Sequence, residues 1–110
     1  NLGVIGQHHQ GAFAEYIVME EENVVPVPEN VSYDAAAMVE PSCVVAHGYY
    51  KVNLDPGDTV AVVGCGTIGL LAIQWAKIFG ASKVIAIDID DAKLELAKKL
   101  GADETINSRN

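Results

Sequence analysis

A glycine-rich segment between a strand-like run and a helix-like run is the feature that most constrains the fold of this chain. Residues 59–63, TVAVV, are almost entirely apolar, which is typical of a strand buried on both faces of a sheet. Residues 68–79 carry apolar side chains at helical spacing. Between the two runs lies GCGTIG, at positions 64–69. This order predicts a strand, a tight turn and a helix.

The same alternation continues to the end of the sequence. Residues 83–87 and 104–107 read as two further strands, and residues 91–100 read as the helix between them, starting at Asp90 or Asp91. A strand–helix–strand–helix–strand series requires a parallel sheet with right-handed crossovers. The sequence therefore predicts an α/β fold, the first half of a doubly wound Rossmann sheet.

The first part of the chain has a different pattern of residues. Residues 12–18 and 23–27 are rich in residues that favour strands, and the second run is closed by prolines. Residues 32–38 suggest a short helix capped by Ser32, and a second helix is expected from Pro41 to about residue 52. A β-rich segment followed by two helices is the resulting prediction.

Each glycine of the loop has a physical task if the loop binds a nucleotide. Gly64 permits the tight turn, Gly66 lets a pyrophosphate approach the backbone, and Gly69 lets the helix and strand pack closely. The start of the helix, at Thr67 and Ile68, then offers free N–H groups to phosphates. The alternative is a parallel β–α–β unit that binds no nucleotide, because glycines also mark ordinary tight turns.

An acidic residue at the end of the second strand favours the nucleotide interpretation. Asp88 follows the last glycine of the motif at the distance expected for a carboxylate that binds the ribose diol of NAD. The adjoining Ile89 is assigned to the same site, and the residues that follow it are acidic. Such surroundings disfavour the 2′-phosphate of NADP, so NAD is the expected cofactor.

Composition limits the class of partner. The chain has 110 residues, is 50% hydrophobic and 20% charged, and carries a net charge of −8. Binding to a nucleic acid backbone needs a basic surface, so nucleic acid is not expected as a partner. No apolar run is long enough to span a membrane, and no signal pattern is seen. The two cysteines fit a reducing cytoplasm.

Taken together, five motifs resemble the medium-chain dehydrogenase/reductase family, in particular its zinc-dependent polyol branch of sorbitol, butanediol and galactitol-phosphate dehydrogenases. The motifs are GAFAEY at 11–16, VEP at 39–41, GDTV at 57–60, the glycine loop, and Ile87-Asp88.

The resemblance implies a division of the chain and a longer protein around it. It makes residues 1–42 the end of a β-rich, GroES-like catalytic domain, and residues 43–110 the first half of the NAD-binding domain. Because family members are considerably longer, an internal segment of a larger enzyme is expected.

Glu40 has two interpretations. A carboxylate directly before Pro41 suits the start of a helix, where the helix dipole favours a negative charge. The resemblance instead implies that Glu40 is a catalytic residue that binds Zn²⁺, directly or through water. The family's other zinc ligands, a cysteine and a His-Glu pair, would lie before Asn1. A single carboxylate cannot hold zinc, so this segment alone is expected to be inactive.

Three further residues are assigned to the cofactor through the resemblance. Val44 and Ile68 would pack against the nicotinamide ring, with ordinary core packing as the alternative. Lys93 matches a family position that reaches the adenosine ribose, with a solvated helix lysine as the alternative.

The resulting hypothesis is an NAD-dependent, zinc-containing dehydrogenase that oxidises a secondary alcohol of a polyol or polyol phosphate to a ketone. L-Threonine 3-dehydrogenase, or another zinc alcohol dehydrogenase, is the alternative within the class. A non-catalytic NAD-sensing domain is the alternative from another class. The expected partners are a small-molecule alcohol and further copies of the protein, in a homodimer or homotetramer, with neither nucleic acid nor membrane.

Overall fold

A computed structural model describes residues 3–109 of the chain. It contains two compact units, Asn1–Val31 and Ser32–Asn110. The sequence places a domain boundary at residue 42, and that boundary concerns the domains of the longer protein, so it stays a prediction. The larger unit contains all of the regular sheet and is the part that positions the candidate site.

The sheet of the larger unit has three parallel strands: β1 (Thr59–Val63), β2 (Lys83–Asp88) and β3 (Glu104–Asn107), in the order β1-β2-β3. These bounds agree with the sequence prediction to within one residue. Val63 pairs with Ile87, and Asp88 pairs with Asn107. The carboxyl ends of the strands therefore meet at one edge of the sheet, where ligands bind in open α/β sheets.

Four helices accompany the sheet in this unit: α1 (Tyr33–Ala37), α2 (Val39–Val52), α3 (Thr67–Ile78) and α4 (Asp91–Lys99). The predicted cap at Ser32 is confirmed, and of the two predicted starts of the last helix, Asp90 is the N-cap and Asp91 the first helical residue. The hydroxyl of Ser32 accepts a hydrogen bond from the N–H of Ala35 at 3.2 Å, and the carboxylate of Asp90 accepts one from the N–H of Ala92 at 2.9 Å.

The start of α2 differs from the prediction, because the helix begins at Val39 rather than at Pro41. Pro41 instead occupies the third helical position. A proline is tolerated there because the first N–H groups of a helix have no partner within it.

The core lies between the helices and the sheet. Five of its residues are completely buried: Ile73, Ala76, Val84, Ala86 and Ala97. Polar contacts also tie α2 to α3. The indole N–H of Trp75 donates a 2.7 Å hydrogen bond to the hydroxyl of Ser42. The hydroxyl of Tyr49 donates one of 2.9 Å to the carbonyl of Ala72.

In the smaller unit, the predicted strands at 12–18 and 23–27 are wrong. Between residues 3 and 31 the structure has a 3-10 helix, Glu21–Asn23, and an isolated bridge between Ile5 and His9, but no strand. A strand satisfies its backbone N–H and C=O groups only by pairing with a neighbour. The local preference for strand is present in these residues, but no neighbouring strand from this range completes a sheet.

No helix among residues 3–109 has both the length and the apolar character needed to cross a membrane.

Candidate cofactor-binding site

The turn between β1 and α3 begins at Gly64. This residue has a φ of +93°, in the left-handed region that residues with a side chain rarely adopt. Its N–H donates a 2.8 Å hydrogen bond to the carbonyl of Ile87 at the end of β2. The turn is therefore fixed to the neighbouring strand, as the tight-turn role of Gly64 requires.

The other two glycines of the motif have different surroundings. A Cβ atom added to Gly69 would overlap the carbonyl of Gly64 and lie 3.5 Å from the side chain of Val62. At Gly66, an added Cβ would meet no atom within 4 Å. Gly69 is thus required for packing of α3 on the loop, as predicted. The open space at Gly66 is what close approach of a phosphate would need.

The helix α3 begins within this loop, at Thr67. Gly66 is its N-cap and provides no side-chain hydrogen bond to the first N–H groups. Thr67 and Ile68 are both exposed, with 49% of Ile68 accessible to solvent. The free N–H groups and the helix dipole together suit an anion.

Asp88 is held in place by three backbone N–H groups. One carboxylate oxygen accepts from Cys65 at 2.6 Å, and the other accepts from Ile89 at 2.7 Å and from Asp90 at 3.0 Å. The pKa of Asp88 is lowered, chiefly by the N–H of Cys65, while partial desolvation opposes the shift and the charge of Lys93 adds to it. The carboxylate therefore stays ionised and fixed beside the glycine loop.

Cys65, the variable residue of the loop, is almost completely buried. Burial, followed by the negative charge of Asp88, raises the pKa of its thiol. Because the thiolate is the reactive form, this thiol has little nucleophilic character. In this structure Cys65 therefore acts as a small, buried apolar residue.

A pocket of about 400 Å³ opens beside the end of β2. It is lined by Ile89, Asp90, Asp91, Lys93 and Arg109. The sequence assigned Ile89 and Lys93 to the cofactor but missed Arg109, which lies 21 positions after Asp88 in the chain. A signal was present, because Arg109 lies two residues after the end of the predicted third strand and parallel strands end at one edge of the sheet.

Glu40 and Val44 lie on α2, away from the glycine loop in sequence. Glu40 is exposed in the first turn of the helix, and Val44 is 56% exposed. Glu40 fits Zn²⁺ in its donor chemistry, since carboxylate oxygens are common zinc ligands. In the part of the chain that the structure describes, no three His, Cys, Asp or Glu side chains come together as a metal site. A metal at Glu40 would need further ligands from the rest of the protein.

This geometry agrees with comparisons to known proteins. Residues 67–110 match a family model described as zinc-binding dehydrogenase. The chain is 43% identical to a sorbitol dehydrogenase of Bacillus subtilis, over 90% of this chain and 28% of that protein. The chain belongs to the zinc-binding dehydrogenase family.

Two further relatives support this family membership. A galactitol 1-phosphate 5-dehydrogenase of Escherichia coli K12 is 44% identical, over 94% of this chain and 30% of that protein. The crystal structure of a short chain alcohol dehydrogenase from E. coli CFT073, complexed with NADH, superposes with a TM-score of 0.90 at 38% identity, covering 96% of this chain and 32% of that one.

The predicted resemblance and fold class are thus confirmed for this zinc-binding dehydrogenase segment. It spans about 30% of the length of the curated relatives that it matches.

Proposed function

We propose that the protein is an NAD-dependent, zinc-containing dehydrogenase that oxidises a secondary alcohol of a polyol or polyol phosphate. The observation that carries the proposal is the 2.6 Å hydrogen bond between the N–H of Cys65 and the carboxylate of Asp88. It brings the phosphate-binding elements of the glycine loop next to a ribose-binding carboxylate, which is the arrangement that a dinucleotide requires.

Different residues of the segment would bind different parts of the cofactor. Gly66 leaves room for the pyrophosphate, and the N–H groups at Thr67 and Ile68 would donate hydrogen bonds to it. Asp88 accepts hydrogen bonds from the adenosine ribose. Lys93, whose charge acts on Asp88, lines the adjoining pocket with Ile89.

The alcohol end of the reaction involves α2. Glu40 would hold Zn²⁺ together with ligands from outside this segment, and Val44 and Ile68 offer half-exposed apolar surface for the nicotinamide ring. The chemistry that these groups would supply is Lewis-acid activation of the substrate hydroxyl from zinc and a hydride acceptor from NAD.

Similarity to a sorbitol and a galactitol 1-phosphate dehydrogenase supports a polyol or its phosphate as the substrate class. We also propose a cytoplasmic enzyme that assembles as a homodimer or homotetramer, as its sequence suggested. The segment supplies one candidate metal ligand among its described residues, so activity is proposed for the full-length protein.

The test is an assay of the purified full-length protein with measured zinc content. NAD reduction is followed with sorbitol, butane-2,3-diol, galactitol 1-phosphate and L-threonine, and NAD binding is measured separately by calorimetry. Zinc-dependent turnover of a polyol supports the proposal. Preference for threonine selects the alternative within the class. NAD binding without zinc or turnover would show a sensing domain instead.

A further inference from the structure

The chain directly after β3 is fastened to the ribose-binding end of β2. The N–H of Ser108 donates a 3.0 Å hydrogen bond to the backbone carbonyl of Asp88, continuing the pairing of Asp88 with Asn107. Arg109 is the next residue, and its side chain lines the pocket beside Asp88. Its place next to the candidate ribose site therefore follows from the strand register.

Asn107 fixes the backbone of Arg109 further. Its side-chain amide donates a 2.6 Å hydrogen bond to the carboxylate of Asp91 in the first turn of α4. Its side-chain oxygen accepts a 3.0 Å hydrogen bond from the N–H of Arg109. The backbone of Arg109 is thus tied through Asn107 to the first turn of α4.

The charges around the pocket decide which ligand suits it. Two cations, Lys93 and Arg109, line the pocket together with Asp90 and Asp91, and the charge of Lys93 also acts on the carboxylate of Asp88. Acidic groups outnumber basic ones here, so a second phosphate is disfavoured. A neutral, planar aromatic ring is not disfavoured by these charges. Ile89, which is 51% exposed, supplies an apolar wall for such a ring.

We propose that Arg109 is a specificity-determining residue whose guanidinium stacks on the adenine ring of the cofactor, with Ile89 on the other side. A planar guanidinium binds an aromatic face both as a cation and by stacking, which an ammonium group does less well. This inference rests on the proposed function, because it assumes that Asp88 binds the adenosine ribose.

The experiment measures dissociation constants by calorimetry on the full-length protein. The ligands are NAD, ADP-ribose, NADP and nicotinamide mononucleotide, which lacks the adenosine. The variants are Arg109→Gln and Arg109→Lys, and the matched control is Lys98→Gln, an exposed cation in the last turn of α4. Both Arg109 variants should bind NAD and ADP-ribose about two- to five-fold more weakly, the size of an exposed cation–π contact. Nicotinamide mononucleotide and the control should be unchanged.

Three results would overturn the proposal. Wild-type affinity of Arg109→Gln for ADP-ribose would show a solvated arginine. Full rescue by Arg109→Lys would show that only the charge matters. A loss confined to NADP would show a contact with the 2′-phosphate. Failure of the proposed function is distinguishable from all of these, since the wild-type protein would then bind neither NAD nor ADP-ribose.

Discussion

The backbone N–H of Cys65 donates a 2.6 Å hydrogen bond to the carboxylate of Asp88, 23 residues further along the chain. The parallel register causes this contact, because it pairs Val63 with Ile87 and so sets the glycine loop beside the end of β2. The bond fixes a negative charge beside the glycine loop, where the proposed function places the adenosine ribose, before any ligand arrives. A preset carboxylate reduces the ordering that ribose binding would otherwise require.

The contrast between two glycines gives a prediction that separates folding from binding. Gly69→Ala should destabilise the fold by about 1–3 kcal/mol, because the added Cβ overlaps the backbone of Gly64. Gly66→Ala should leave the melting temperature nearly unchanged, since its Cβ meets no atom within 4 Å. It should nevertheless weaken NAD binding by at least about ten-fold, because the methyl group occupies space that the pyrophosphate needs.

Thermal melts and NAD titrations of both full-length variants check this pair. Each variant is the control for the other. Wild-type NAD affinity in Gly66→Ala would show that the loop is an ordinary tight turn rather than a phosphate-binding one.

The sequence predicted the larger unit well because its local signals and its long-range pairing agree. Apolar runs, helical periodicity and caps at Ser32 and Asp90 all specify elements that then pack on one another. The strand predicted at residues 12–18 was wrong for the opposite reason, since strand preference alone does not supply a partner strand. Arg109 was missed because its proposed role depends on the register that sets the end of the third strand beside Asp88, and no short motif contains that register.

Asp103 should make stability depend on pH. Its carboxylate accepts hydrogen bonds from Lys77 and from the N–H of Val84, both at 2.6 Å. These contacts, that with Lys77 above all, lower its pKa from the ordinary value of 3.8. A carboxyl with a lowered pKa in the folded state stabilises the protein above its unfolded pKa, and this stabilisation is lost as the pH falls through the folded pKa.

Asp103→Asn should therefore lower the melting temperature by a few degrees at pH 7, and the difference from wild type should shrink below about pH 4. The check is a series of thermal melts of the full-length protein from pH 7 down to about pH 2, which covers the range in which the stabilisation is lost. Glu95→Gln, which neutralises an exposed carboxylate on α4, is the charge control. A difference that stays constant with pH would assign the effect to the hydrogen bonds rather than to the charge.

Glu40 gives a prediction about the metal. In the full-length protein, Glu40→Ala should lower zinc content and turnover by at least about ten-fold, because a catalytic zinc site depends on each of its few protein ligands. NAD affinity should stay within about two-fold, since Glu40 lies on α2 and the glycine loop precedes α3. Zinc analysis and calorimetry measure the two effects separately. Asp34→Ala, which removes a carboxylate in the first turn of α1, is the matched control. Unchanged turnover would leave Glu40 as a helix-start residue.

The final prediction concerns the choice between NAD and NADP. The Asp88 carboxylate is ionised and fixed, so a 2′-phosphate would place a second negative group against it. Like charges a few ångströms apart at a protein surface repel strongly enough to lower affinity by about 10- to 100-fold after screening. Lys93 and Arg109 in the adjoining pocket reduce this discrimination but do not reverse it, because Asp90 and Asp91 line the same pocket. The double change Asp88→Ser with Ile89→Arg removes the repelling charge and adds a cation. It should therefore shift the ratio of kcat/KM for NAD and NADP toward NADP by at least about ten-fold, as measured by steady-state kinetics on the full-length enzyme.

The single change Ile89→Arg is the control, and it should move the ratio less, since Asp88 remains. A wild-type enzyme that uses both cofactors equally would show that Asp88 is not the selector.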